Sequence, residues 1–152
     1  MRNRSRGFGS AGFSLVEMLI VVSMIALMAL FAWPKVVVVF NQSQVRSARL
    51  AVLNKYNQAR IIARQSSRHA YLIRQDSILW VEREPRVVPL AGSTRDTVGG
   101  YLNLGQYGVT VTGLSSLTID PRGLTGGGGA IVVTRQGLSD SVVISGFGRI
   151  SR

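Results

Sequence analysis

Hydrophobic residues are concentrated near the start of the chain, where they form one long run over residues 13–33. The polar residues within this run are Ser14, Glu17 and Ser23. As an α-helix, the run would be about 31 Å long, close to the thickness of the hydrocarbon core of a bilayer. Serine hydroxyls can bond back to helix carbonyls, whereas a carboxyl group in a spanning helix is costly and needs a partner or a neutral state. The pattern predicts a membrane-spanning helix in which the acid at Glu17 requires an explanation.

The helical pattern continues beyond Pro34, which in a helix interior removes one hydrogen bond and bends the rod. Further along, apolar residues recur at steps of three and four, as on one face of an amphipathic helix. They are Val45, Ala48, Val52, Tyr56, Ala59 and Ala63. We therefore expect one helix from Phe13 to about Gln65, half in lipid and half packed on a head. Core packing explains this stripe, and no cofactor is implied.

After residue 66 the period changes to that of short strands separated by turn residues. Expected strands are residues 70–73, 78–82, 86–90, 107–112, 117–120, 130–134 and 141–145. Turns are expected at 75–76, 99–100, 120–123, 126–129 and 137, while residues 91–106 have no assignable pattern. Short turns between close strands favour antiparallel hairpins. A helix followed by strands gives an α+β fold, with the long N-terminal helix packed on an antiparallel β-sheet head.

The residues before the apolar run carry Arg2, Arg4 and Arg6 and no acid, which favours a cytoplasmic N-terminus. A basic start also suits an ordinary secretory signal, but this run is too long and no small-x-small cleavage site closes it. A plain membrane anchor fits the length and the hydropathy. Neither alternative explains Glu17.

Residues 12–20 read Gly-Phe-Ser-Leu-Val-Glu-Met-Leu-Ile. This segment resembles the type III signal peptide of type IV pilins and type II secretion pseudopilins. The resemblance implies that a prepilin peptidase cuts between Gly12 and Phe13 on the cytoplasmic side and then methylates the new amine of Phe13. Family members often carry a helix-kinking proline where this chain has Pro34.

Glycine before the cut leaves room for close approach by a protease. The cut would create a cation at the membrane edge, and a carboxylate on a neighbouring subunit could pair with it. We expect Glu17 to be that carboxylate and to set the axial register of incoming subunits. The alternative is that Glu17 sits at headgroup level without this role.

Four further segments resemble the minor pseudopilins of the GspH/FimT group. They are residues 59–60, residues 67–70, residues 117–123 and the C-terminal residues 143–150. This resemblance implies a head that assembles with other pilins or pseudopilins in a filament.

The chain has 18 lysines and arginines against 7 acids, a net charge of +11. Such an excess can attract phosphates or anionic headgroups. It can equally be a solvated basic surface or a compositional bias of the source genome. Cysteine is absent from the sequence, so disulfides, thiolate metal sites and thiol catalysis are excluded.

Candidate chemistry is sparse. The single histidine, His69, has no acid or serine arrangement that reads as a triad. Residues 123–129 are glycine-rich, but they lack the Lys-Ser/Thr and the following helix of a P-loop, so a hairpin tip is expected. We expect no enzyme activity, no cofactor and no metal site.

The C-terminus ends with Arg149 and Arg152. FimT-like minor pilins carry a basic C-terminal tail that contacts DNA, and these arginines resemble it, although the Gly-Arg-x-x-Arg spacing is looser than the family's. The alternative is a final strand with a solvated arginine.

The sequence thus predicts four parts: a leader at 1–12, a transmembrane helix at 13–33, its extracytoplasmic continuation at 34–65 and a β-rich head at 66–152. We expect a single-pass protein of the bacterial inner membrane with a periplasmic head. The leading function is a minor pseudopilin of a type II secretion system, assembled into a short periplasmic pseudopilus. Its partners would be the prepilin peptidase, other pseudopilins and, before assembly, inner-membrane lipid. The alternative is a FimT-like minor pilin of a type IV pilus that binds DNA during uptake.

Overall fold

A computed structural model of the protein describes residues 13–85 and 95–151. The leader, Gly12, Arg152 and the strand expected at 86–90 therefore lie outside the described residues. The chain divides into two compact units, one ending at Val38 and the other comprising Val39–Arg152.

Helix α1, Leu15–Ser66, is the one long helix of the described residues, and its end agrees closely with the expected end near Gln65. Within residues 15–38 its apolar side chains are exposed on all sides, and Pro34 lies inside the helix. Ser23 donates from Oγ to the carbonyl oxygen of Leu19 at 2.7 Å, the back-bond expected of a serine in an apolar helix. This stretch qualifies as a membrane span by length and composition.

Within the second unit, the apolar stripe of α1 enters the core of the head. All six stripe residues named from the sequence are buried, and five of them have no exposed surface. They join one hydrophobic cluster with residues from both sheets, among them Leu79, Ile119, Val133 and Ile144. The prediction of an amphipathic second half is confirmed, and core packing is its explanation.

Within the residues that the structure describes, the head contains two four-stranded antiparallel sheets. The first has the order β3-β2-β1-β5 and the second the order β4-β6-β7-β8. The strands are β1 Ala70–Gln75, β2 Ile78–Arg83, β3 Asp96–Asn103, β4 Thr110–Gly113, β5 Ser116–Ile119, β6 Gly129–Arg135, β7 Leu138–Ile144 and β8 Ile150–Ser151. One long helix packed on antiparallel sheet confirms the expected α+β fold.

Three expectations need correction. Gly99 and Gly100 do not form a turn; they lie inside β3, with φ of 79° and 68°, near a register shift between Leu79 and Val81 of β2. The stretch 91–106 without a pattern contains this strand. The strand expected at 107–112 begins only at Thr110, because residues Leu104–Tyr107 form a short 3-10 helix that ends at Gly108 with φ of 62°.

Candidate functional site

The N-terminal site begins where α1 begins. Met18 donates its backbone N–H to the carbonyl of Ser14 at 3.1 Å, which starts the helix at the expected motif. Glu17 lies in the first turn and is exposed, where a carboxylate is favoured by the positive end of the helix dipole. Phe13, four residues earlier, is 72% exposed. Both side chains are therefore accessible to another molecule, while Gly12 lies outside the described residues.

The helix that follows has an unusual surface. Between residues 15 and 38 large apolar side chains point outward all round the helix, including Leu19, Ile25, Phe31 and Trp33. A helix that is apolar on every side is stable when lipid or protein covers it. None of the most apolar window is buried within the described part of the chain. This half of α1 is therefore a candidate membrane span.

A second site forms where the C-terminal turn, residues 145–149, meets α1. The hydroxyl of Tyr56 donates to the carbonyl oxygen of Gly148 at 3.1 Å. Gly148 is buried with φ of 73°, and a Cβ there would lie 2.8 Å from the carbonyl oxygen of Gly123. The C-terminal turn is thus held against both the helix and the turn at 120–124.

Arginines surround this junction. Arg60 donates from Nε to the carbonyl oxygen of Gly123 and Arg64 from Nε to that of Arg122, both at 3.2 Å. Arg122 and Arg149 themselves are exposed. Four arginines therefore gather at the junction, which we call the C-terminal arginine cluster: Arg60, Arg64, Arg122 and Arg149.

The electrostatics of the cluster is dominated by positive charge. The carboxylate of Asp120 accepts the backbone N–H groups of Arg122 and Leu124 at 2.9 and 2.8 Å, so it is used to shape the turn. Burial raises the pKa of Tyr56, and the charges of Arg60 and Arg64 oppose that rise. The sequence identified Arg149 but missed Arg60, Arg64 and Arg122, because contacts between distant segments bring them together.

The other candidates stay outside these sites. Nδ1 of His69 lies 3.3 Å from Oε2 of Glu84, and both side chains are about half exposed. The sequence missed this pair because the two residues meet across neighbouring strand ends. Among residues 13–85 and 95–151, no group of three histidine, cysteine or acidic side chains could hold a metal ion.

Comparison with known proteins places the fold. No protein-family model matches the chain, and no curated protein matches it. Two crystal structures of the type IV minor pilin FimU from Pseudomonas aeruginosa strain PAO1 are similar at 17% identity. One has a TM-score of 0.57 over 72% of this chain and 88% of that chain. The other has a TM-score of 0.51 over 72% of this chain and 90% of that chain. At this identity the likeness concerns the fold: the chain has a type IV pilin-like fold.

Proposed function

We propose that the protein is a minor pseudopilin of a type II secretion system, a non-catalytic subunit of a short periplasmic filament. The observation that supports this proposal best is that the chain contains both an exposed apolar helix, which starts at the motif of residues 12–20, and a head of type IV pilin-like fold. The apolar helix would lie in the inner membrane with its N-terminus cytoplasmic. On assembly it would pass into the filament core among the helices of other subunits.

Processing is the first step of this proposal. Prepilin peptidase would cut between Gly12 and Phe13 and methylate the new amine. An exposed Phe13 just before the first helical turn supports access by that enzyme. N-terminal mass spectrometry of the protein from its native membrane tests the step: the expected mature chain begins at N-methylated Phe13. A chain that keeps its first twelve residues, or that is trimmed after Trp33 and released, contradicts the proposal.

A variant sharpens this test. Gly12→Val should leave the leader attached, because a branched side chain obstructs the close approach at the cut. Gly9→Val changes the leader in the same way three residues earlier and should be processed normally. If both variants are processed alike, the cut does not depend on Gly12.

Assembly is the second step. The exposed carboxylate of Glu17 would pair with the Phe13 amine of a neighbouring subunit, which shelters two charges that would otherwise be costly in an apolar surrounding. Glu17→Val should insert in the membrane and be processed, yet enter filaments poorly. Ser14→Val in the same turn is the matched control. Unchanged incorporation of the Glu17 variant removes the registry role.

Secretion and pilus systems share this subunit design, so the system itself needs its own test. Affinity purification of the membrane protein with its partners should recover secretion pseudopilins. Recovery of type IV pilins instead assigns the chain to a pilus, as would pilus genes beside its own.

The C-terminal arginine cluster favours a second candidate, a FimT-like minor pilin that binds DNA during uptake. Arg149 and Arg122 are exposed beside two helix arginines, and Asp120, an acid of the same turn, accepts backbone N–H groups. Arginines that neutralise phosphates bind DNA with a strong dependence on salt.

Titration of the full chain in neutral detergent with duplex DNA at two salt concentrations tests this candidate. Binding should weaken steeply with salt and fall when Arg149→Gln is combined with Arg152→Gln. A control double change, Arg83→Gln with Arg95→Gln, removes two positive charges in and beside the first sheet, where they lie near Asp96 and Glu82, and should have a smaller effect. Absent binding at low salt, or equal loss in both double variants, rejects DNA as the partner.

A further inference from the structure

An open groove lies between α1 and the start of β7, at the end of the head where α1 enters it. Its volume is about 730 Å³, within the range of ligand-binding clefts. From α1 it is lined by Val39, Ser43, Arg46 and Arg49, and from β7 by Ser139 and Asp140. The C-terminal arginine cluster lies elsewhere, since Arg60 follows Arg46 by about 21 Å along the helix axis.

The two arginines of the groove differ in their contacts. Arg49 is fixed: its Nε donates to the carbonyl oxygen of Ser141 at 3.2 Å and lies 3.5 Å from Oδ1 of Asp140. Arg46 is exposed and makes no hydrogen bond or ion pair with any of the residues that the structure describes. Because Asp140 offsets the charge of Arg49, the groove carries one positive charge available to a ligand.

Hydroxyl groups stand beside that charge. Ser43 and Ser139 are both exposed in the groove, one on each wall. A guanidinium with neighbouring hydroxyl donors is suited to a phosphate oxygen, because arginine offers several donors in a planar fork. The chemistry of the groove therefore fits a singly charged phosphodiester.

The opposite end of the groove is apolar and exposed. Val39 is 63% exposed, and Leu138 of β7 lines the same groove. Arg46 follows Val39 by about 10 Å along the helix, so one groove changes from apolar to cationic over that distance. Val39 also continues the apolar sequence of residues 36–40. A ligand that fills this groove would combine a phosphate with a hydrocarbon portion.

We infer that this groove binds the headgroup of an anionic phospholipid, with the phosphate at Arg46 and the start of an acyl chain along Val39. The inference rests on the proposed function in one respect, because it takes residues 13–33 to span a bilayer. It goes further by giving the head its own lipid contact before assembly. Nucleic acid and acidic peptides match the cationic end but leave the apolar end without a partner.

The test uses the full chain in a neutral detergent, incubated with phosphatidylglycerol or with phosphatidylcholine of the same acyl chains. Native mass spectrometry counts the lipid that each chain retains. We expect preferential retention of phosphatidylglycerol. Arg46→Gln should reduce it about fivefold, the factor that one cationic side chain contributes near anionic lipid. Arg46→Lys should retain part of the preference.

Arg83→Gln is the control. It removes one partly exposed positive charge from the first sheet, where Arg83 lies 3.5 Å from Asp96, and should leave lipid retention unchanged. Equal melting temperatures of wild type and variants would show that neither substitution disturbs the fold. Equal retention of both lipids by the wild type overturns the inference, as does equal loss in the Arg46 and Arg83 variants.

Two further arms identify the occupant. Inorganic phosphate that displaces phosphatidylglycerol at a similar concentration would make this a free-anion site, and displacement by duplex DNA would make it a nucleic-acid site. Either result overturns the lipid assignment.

N-terminal mass spectrometry of the same sample distinguishes failure of the lipid proposal from failure of the proposed pilin role. A processed chain without lipid preference rejects the groove and leaves the pilin role standing, whereas an unprocessed chain rejects the pilin role.

Discussion

The two halves of helix α1 share one secondary structure and have opposite surroundings. Residues 15–38 expose apolar side chains on every side, whereas residues 39–66 bury one apolar stripe and expose mainly polar residues elsewhere. The difference lies in periodicity, because the first half has no polar face and the second has one. Helical structure alone therefore says little about stability; what covers each face decides what a substitution costs.

The largest expected effect comes from removing the ring at the centre of the second half. Tyr56→Ala should destabilise the head by about 3–5 kcal/mol, because it leaves a cavity and frees the C-terminal turn. Phe31→Ala in the first half should leave head stability unchanged. Urea unfolding of the full chain in detergent, followed by near-UV circular dichroism, measures both. Equal losses would mean that the two halves are not distinct in packing.

The next largest difference between the two halves of α1 should come from enlarging a small side chain. Ala59 has no exposed surface, so Ala59→Leu must push apart helix and sheet and should cost about 1–3 kcal/mol. Ala26 is exposed, and Ala26→Leu should be neutral for the head in the same unfolding measurement. A stable Ala59 variant would indicate space in the core that the structure does not contain.

The two lysines of the chain give a third comparison, since both lie on α1. Nζ of Lys55 donates to the carbonyl oxygens of Gly99 and Gly100, both at 2.8 Å, and to Oε1 of Gln58 at 3.1 Å. Lys55→Met removes these hydrogen bonds. It should lower the free energy of unfolding by only about 1–2 kcal/mol, because water can reach the carbonyls on the exposed strand and replace the lost donor. Exposed Lys35→Met should cost nothing in head unfolding. Hydrogen exchange at β3 should quicken in the Lys55 variant alone.

The smallest effect concerns pH. Because burial raises the pKa of Tyr56, the unfolded chain loses this proton first as pH rises above the ordinary value near 10. The stability that Tyr56 contributes is complete below that pH and is lost as pH rises through the folded pKa. Tyr56→Phe loses the hydrogen bond to Gly148 and should be less stable than the wild type by about 1 kcal/mol at pH 7. This difference in stability should narrow above pH 10, where the wild type loses the contribution of Tyr56.

The other titrations do not disturb this comparison. Burial lowers the pKa of Lys55, but the lysine is present in both proteins and its contribution cancels. A gap between wild type and Tyr56→Phe that stays constant up to pH 11 would show that the folded and unfolded hydroxyls titrate alike.

Local patterns were sufficient for much of the fold. The stripe from Val45 to Ala63 and the hairpin of β6 and β7 follow from periods and turn residues that lie within a few positions of one another. The same is true of where α1 begins, which places Phe13 and Glu17 at its start. The charge pairing expected of Glu17 involves a second subunit, so it stays a prediction.

Long-range contacts account for what the sequence did not reveal. Gly99 and Gly100 read as a turn, yet they lie within a strand paired with β2, and a lysine 44 and 45 residues away donates to their carbonyls. The arginine cluster likewise depends on Arg60 and Arg64 reaching a turn about 60 positions later. Such partners have no signature in a short window of sequence.

The bond from Tyr56 to Gly148 also has a practical use. The C-terminal segment beyond it pairs with β7 through Ile150 and Ser151, so a probe attached there would tumble with the head. Because the protein lacks cysteine, Ser151→Cys offers one unique attachment point for a spin label. In the filament proposed above, the distance between labels on neighbouring subunits would report the rise and rotation between them.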